Sequence, residues 1–170
     1  LVVGSGPAGS TAAYYAARAG ADVTFIERRP DIGVPVRCGE LIPSDEEIKG
    51  MFPNLEDAES LFETPSDLRL REIEGIKLVN PKGKETLLDF TGYTTDRDRY
   101  DKFLARKAVS EGATLIRNNM FQEIKGGVAM TTDGPIEYKV IIGADGPCSR
   151  VARSLRLPRN RNPYPAVTSQ

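Results

Sequence analysis

The chain reads as an α/β protein, a parallel sheet flanked by helices with antiparallel strands inserted into it. Three observations predict this. At the start, the apolar run Leu1–Val3 enters a turn carrying glycines at 4, 6 and 9, and Ala-rich sequence follows. Near the end, Val140–Ile142 again runs apolar into Gly143-Ala144-Asp145-Gly146. Between them lies β-branched sequence broken by hairpin turns.

The opening stretch, LVVGSGPAGS, has the form of a buried strand, a tight turn and a helix start, the pattern of a dinucleotide-binding fingerprint. Gly4 is expected to permit the turn. Gly6 is expected to let the backbone approach a pyrophosphate, and Gly9 to bring helix and strand close. The helix is predicted over Pro7–Ala19, with Gly20 ending it. A second strand over Asp22–Ile26 ends at Glu27, where such folds grip a ribose hydroxyl with an acid. A carboxylate accepts hydrogen bonds from a ribose diol and repels a 2′-phosphate. The expected nucleotide is therefore an adenosine with a free ribose, as in FAD or NAD.

Residues 28–43 read as an irregular loop, and loops this long are uncommon unless functional. Ser44 and Glu47 form a capping box for a helix over Asp45–Met51. Asn54 is placed to cap a second short helix over Leu55–Phe62. Alternating residues from Glu72 to Val79, the turn Asn80-Pro81-Lys82-Gly83 and Thr86–Phe90 predict a hairpin. A further strand, Gly92–Asp96, leads into a helix over Asp98–Glu111, with Tyr100, Phe103, Leu104 and Ala108 on its buried face and Gly112 as its stop. Ala113–Arg117 is predicted as another core strand. Phe121–Ile124, Gly127–Thr132 and Ile136–Val140 read as a meander turning at Asp133-Gly134. Ser149 is expected to cap a short helix, Arg150–Leu155. Asp145 is a candidate to hydrogen-bond a ribityl chain or to orient a loop over the pyrophosphate; Asp-Gly is also an ordinary turn at a strand end.

Composition narrows the function. The chain has 170 residues, 28% of them charged, and a formal net charge of -1, so overall charge gives no reason to expect a nucleic-acid partner. It has no histidine, which removes the commonest metal ligand and neutral-pH base. Two cysteines, Cys38 and Cys148, are too few for a disulfide scaffold and fit a reducing cytoplasm. No apolar run approaches the ~20 residues of a membrane span. The Arg150, Arg153, Arg156, Arg159 and Arg161 cluster reads as a solvated helix face or as a contact for phosphates or lipid headgroups. The chain begins inside its first strand without methionine, so a fragment is expected, with no visible signal peptide.

Taken together, the Gly4/Gly6/Gly9 turn with Glu27, the GADG stretch and Arg97 at a helix start resemble the FAD-binding half of the p-hydroxybenzoate hydroxylase superfamily. Within it, the loop VPVRCGE at Val34–Glu40 and the segment DRDRYDKFLARKAVSEGA at 96–113 are similar to the geranylgeranyl reductase family, which includes the digeranylgeranylglycerophospholipid reductases. The resemblance implies a Rossmann-like FAD-binding domain and a reductase that saturates C=C bonds of isoprenoid chains in membrane lipid biosynthesis. It implies an isoprenoid lipid substrate, an external electron donor such as NAD(P)H or ferredoxin, and peripheral membrane contact. By the same resemblance, Ala8 and Gly9 meet the pyrophosphate, Glu27 the adenosine ribose, and Arg37, Cys38 and Gly39 the flavin side of the loop. Arg97 contacts the cofactor, the backbone near Phe121 packs on adenine, and Asp145 and Gly146 belong to the second FAD motif. Leu41 departs from the family, which often has glycine after CGE.

A lone cysteine is ordinarily a small buried hydrophobe. Cys38 instead neighbours Arg37, whose charge would lower its pKa, and the resemblance puts it at the flavin, so it is the candidate catalytic residue. Cys148 is read as structural. The expected division is 1–64 and 96–157 for FAD binding, 65–95 for the start of a substrate sheet, and 158–170 as an extended segment. Two rival readings share the nucleotide motifs: an aromatic monooxygenase and a nucleotide-binding fragment without chemistry.

Overall fold

The computed structural model describes residues 1–36, 40–54 and 63–158. Four short strands form the parallel sheet, in the order β10-β1-β2-β6: β1 Val2–Val3, β2 Thr24–Ile26, β6 Thr114–Ile116 and β10 Ile142–Gly143. Successive residues of a strand face opposite sides, and that alternation builds two cores. Val2 and Phe25 point to one face and join Ala13 and Ala17 of α1 (Pro7–Arg18) and Ala105 and Ala108 of α3 (Arg97–Ser110). Val3 and Ile26 point to the other and join Phe121, Ala129 and Val151. Alanines on both helices let them lie close on the sheet and on each other. The Ala-rich start of the sequence serves that closeness.

The second face is covered by an antiparallel meander of β7 Phe121–Lys125, β8 Val128–Thr131 and β9 Gly134–Ile136, with α4 (Arg150–Ser154) beside it. Gly126 and Gly127, both at positive φ, make its first turn. The second turn is centred on Thr132-Asp133, one residue earlier than the sequence suggests, because Thr131 pairs with Gly134. The Thr131 hydroxyl fixes it, donating to the Gly134 carbonyl at 2.7 Å and accepting from the Asp133 N–H at 3.3 Å. The expected strand over Ile136–Val140 is therefore the shorter β9, and the last core strand starts at Ile142 rather than Val140.

A third sheet, ordered β3-β5-β4, holds β3 Leu41–Pro43, β4 Arg69–Val79 and β5 Glu85–Thr95. β5 is one continuous strand where the sequence suggested two; register shifts near Ile73–Gly75 absorb the irregularity. β3 lies in the stretch expected to be loop. Three residues ending in proline carry no readable period, and only pairing with Gly92–Thr94 makes them a strand. A third core, Ile42, Leu68, Tyr93, Tyr100 and Leu104, fastens this sheet to α3. α3 thus serves two cores from adjacent faces. The expected helix over Leu55–Phe62 lies outside the described residues.

Half of the expected capping box forms at α2 (Asp45–Met51). The Glu47 N–H donates to the Ser44 hydroxyl at 3.3 Å, but the Glu47 carboxylate accepts from the Thr91 N–H at 3.0 Å. The Ser44 N–H is instead satisfied by the Thr91 carbonyl at 2.9 Å. Tertiary contact with β5 replaces the local reciprocal bond.

The tightest junction is between β1 and α1. A Cβ on Gly9 would stand 1.8 Å from the Gly4 carbonyl oxygen, which belongs to backbone that cannot move aside. Gly9→Ala is therefore expected to destabilise the fold by about 3 kcal/mol or more. Thermal melting should show this as a drop of roughly 6–12 °C; an unchanged melting temperature would contradict the packing described.

Candidate functional site

The site grows from the carboxyl ends of β1, β2 and β10. Their order puts β1 between a strand that follows it closely and one reached only at the end of the chain. This is the switch point at which open α/β sheets leave a crevice. Gly4 turns the chain away from the sheet at φ +100°, and its N–H donates to the Ile26 carbonyl at 2.8 Å. A Cβ there would meet the Ala144 carbonyl at 2.3 Å. Gly6 is different: it caps α1 with an ordinary negative φ, and a Cβ added to it would meet nothing within 4 Å. Gly4 and Gly9 are required by the protein's own packing. Gly6 faces open space, where an incoming group would need the room.

Glu27 ends β2 and reaches back to this turn. Its Oε2 accepts from the Ser5 N–H at 3.1 Å and from the Ser5 hydroxyl at 3.0 Å, while Oε1 accepts from the Arg29 N–H at 3.0 Å. Ser5 is fully buried, as is Ser10, whose hydroxyl donates to the Ser5 carbonyl at 2.9 Å. A carboxylate offers roughly four acceptor positions. Three are used here, so Oε1 keeps one for a ligand hydroxyl.

A cleft of about 530 Å³ runs over these groups, floored by Gly4, Gly6 and Glu27 and walled by Asn119–Phe121 and Ala144–Cys148. Arg28, Arg29, Arg150 and Arg153 also border it. A smaller cavity of about 130 Å³ shares Gly6, Glu27 and Arg29 with it and continues to Val36, Arg97 and Asp101. The shape is a groove with an acid at its centre, arginines along its rim and the free end of a helix opening onto it. The first-turn N–H groups of α1 and its dipole suit a phosphate there. These residues fit a dinucleotide: open backbone at Gly6, cationic walls and one acceptor for a ribose.

Of the expected site residues, Gly4, Gly6, Glu27, Arg97, Phe121, Asp145 and Gly146 border this groove. Gly9 lies beneath it against Gly4, and Ala8 is exposed in the first turn of α1. Phe121 presents backbone only, since its ring is buried in the second core. The Asp145 carboxylate is turned to α4: it accepts from the Ser149 hydroxyl, from the Arg150 N–H at 2.6 Å and from the Val151 N–H at 3.2 Å. Leu41 sits apart, exposed on β3 opposite Thr94. Arg37, Cys38 and Gly39 lie outside the described residues. Cys148 is exposed on the cleft wall.

Three contributors escaped the sequence reading. Ser5 acts through its backbone N–H and its hydroxyl, and Arg29 through its backbone N–H, which no spacing rule marks. Asp101 could have been found from its i,i+4 spacing to Arg97. It accepts from Arg97 Nε at 3.0 Å and pairs with the Nη2 charge at 2.9 Å, with both side chains largely buried. Burial pushes the Asp101 carboxyl above the usual carboxylate range, a rise that the Arg97 charge moderates and nearby Glu27 and Asp98 add to.

The turn, the acid at the second strand's end and the parallel order define a Rossmann-like dinucleotide-binding domain, and residues 2–54 match the model of the NAD(P)-binding Rossmann-like domain. The chain is 36% identical, over 92% of its length and 87% of the relative's, to an uncharacterised protein of Methanosarcina barkeri in the nifH2 5′ region. It is 35% identical to digeranylgeranylglycerophospholipid reductase 1 of Methanothermobacter thermautotrophicus, over 90% of this chain and 40% of the relative. A crystal structure of a geranylgeranyl bacteriochlorophyll reductase-like protein from Thermoplasma acidophilum superposes with a TM-score of 0.76 at 32% identity, over 92% of this chain and 41% of that one. The likeness to the geranylgeranyl reductases, at about one-third identity, runs over nine tenths of this chain. The chain spans about 40% of the length of the named reductases it matches.

Two outcomes follow from the site's geometry. Gly6→Val is expected to lower the melting temperature of the ligand-free protein by no more than a few degrees, the cost of valine at a helix N-cap, while weakening dinucleotide binding by roughly a hundredfold, about 2.7 kcal/mol. Calorimetric melting and a binding titration check the two halves separately. Asp101 has a raised folded-state pKa, so the stability it contributes is present below the ordinary carboxylate pKa and lost as pH rises through the raised value. Melting temperatures of the parent should accordingly fall relative to those of Asp101→Asn as pH is taken upward across that window.

Proposed function

We propose that this chain binds FAD and forms part of a reductase that saturates carbon–carbon double bonds of geranylgeranyl chains in membrane lipid biosynthesis. The observation that carries the reading is the open space at Gly6, set beside Glu27 at the ends of three parallel strands. Similarity to the geranylgeranyl reductases over most of this chain supports the substrate class. The division follows: 1–64 and 96–157 bind the cofactor and 65–95 begin the substrate sheet, with β3 lent to that sheet from the first part.

When bound, FAD would supply the redox chemistry, delivering hydride to an alkene that takes up a proton at its other carbon. The chain's own residues bind and orient. Gly6 and the first turn of α1 would receive the pyrophosphate. Glu27, through Oε1, would accept from one adenosine ribose hydroxyl without releasing Ser5. The backbone near Phe121 would lie along the adenine, and Arg97 would meet the cofactor beyond Gly6. An isolated alkene builds up no enolate for the protein to stabilise, so positioning, water exclusion and a proton source are what the site must provide. Cys38, or a water it holds, is the proton donor in this reading. The electron donor is an NAD(P)H- or ferredoxin-class reductant, and the protein acts in the cytoplasm at the membrane surface. No helix among the described residues is long and apolar enough to cross a membrane.

The test is purification of the full-length protein, an absorbance spectrum and anaerobic incubation of the reduced form with a geranylgeranyl lipid. A flavin band and a product gaining two hydrogens per double bond are expected. Oxygen-dependent NAD(P)H consumption with aromatic hydroxylation would replace the reading by a monooxygenase. A colourless protein that ignores added FAD would leave a binding fragment. Cys38→Ala should cut turnover roughly a hundredfold or more, and unchanged turnover would remove Cys38 from the chemistry.

A further inference from the structure

Arg97 opens α3, and its guanidinium reaches the narrow part of the groove beside Gly6 and Glu27. A long, flexible cation at that place has many rotamers, and holding one of them is a separate task from supplying the charge. Asp101, one turn further along α3, takes a hydrogen bond from Nε onto Oδ1, and Nη2 on the same edge of the guanidinium stands in ion-pair contact with that oxygen. A contact along the Nε–Nη2 edge turns the opposite edge of the guanidinium away from Asp101.

Asp101 is itself locked. It is 6% exposed and belongs to a helix face that is buried on both sides, by Tyr100 and Leu104 toward one core and by Ala105 and Ala108 toward another. The loop after Glu27 closes over it: a Cβ on Gly33 would stand 2.8 Å from the Asp98 Cα and 3.3 Å from the Asp101 Cβ. A buried carboxylate is costly unless it is paired, and an apolar residue would fill this position with less penalty. Its presence at the groove, facing inward, is what needs an explanation.

We propose that Asp101 is a positioning residue for the cofactor, holding the Arg97 guanidinium in the one orientation that presents its outer edge to acceptor oxygens of the bound dinucleotide. The proposal rests on the FAD reading above and adds a residue to it. Asp101 touches no ligand and acts only through Arg97.

The experiment is FAD titration of the full-length apoprotein, followed by quenching of flavin fluorescence, for the parent, Arg97→Ala, Asp101→Ala, Asp101→Asn and the Arg97/Asp101 double alanine variant, with ligand-free melting temperatures for each. Arg97→Ala and Asp101→Ala are each expected to weaken FAD binding by roughly ten- to a hundredfold, the range for one hydrogen bond to a charged group. The double variant should bind no more weakly than Arg97→Ala alone. Asp101→Asn, whose carbonyl can still accept from Nε, should regain most of the affinity. Additive losses in the double variant would overturn the positioning role and leave the FAD reading intact, as would unaltered binding in Asp101→Asn and Asp101→Ala alike. A parent protein that quenches no flavin fluorescence would overturn the FAD reading and this inference with it. Should Asp101→Ala fold poorly, the comparison of Asp101→Asn with the parent and with Arg97→Ala decides the matter, since an amide of the same shape that fails to restore binding contradicts the proposal.

Discussion

Everything at the groove depends on the Glu27 carboxylate being tied to Ser5. β1 and β2 are only two and three residues long, so their ladder alone does not determine where the chain goes after each strand ends. The two bonds from Ser5, N–H and hydroxyl, draw the end of β2 and the glycine turn after β1 into one unit. The Arg29 N–H completes the clasp from the far side. Charge-assisted bonds of this kind are about twice as strong as neutral ones. Here they spend three acceptor positions on structure and leave one for a ligand.

α3 has the complementary role of joining the two halves of the fold. Its small residues meet α1 and the parallel sheet, and its large ones, Tyr100 and Leu104, meet the third sheet. A helix with two apolar faces has little surface left for solvent, and the polar residues it buries are correspondingly constrained. Arg97 and Asp101 are those residues, and they lie at the end of α3 nearest the groove. The third sheet and the nucleotide groove therefore share one support, the helix that carries Arg97.

How much of this was legible in the sequence depended on the range of the interaction. The glycine turn, α1, α2 and α3 are written in local patterns, and their ends fell within a residue or so of expectation. Spacing alone placed Glu27 beside the glycine turn as the acid for a ribose hydroxyl, while the bonds it makes to Ser5 carry no signal in the sequence. β3 was invisible because three residues show no period and owe their form to Gly92–Thr94. Glu47 was misjudged for a similar reason: the Thr91 N–H outcompeted the local partner. Asp145 was read for its position at a strand end, while its oxygens serve the first N–H groups of α4. Gly6 and Gly9 look alike in the sequence, and only geometry separates the one that meets backbone from the one that meets empty space.

The eleven-residue strand β4 lies at the margin of its sheet among the described residues, with no strand along its outer side. Leu70, Leu78 and Leu87 of the hairpin are more than half exposed. A long bare margin with leucines on it invites another chain to add itself. Arg69, Arg71, Glu72, Glu74 and Lys77 interrupt that invitation, because an added strand would have to bring opposite charges into register with them. The hairpin is thereby selective about register: a strand pairing along it is favoured where opposite charges face one another.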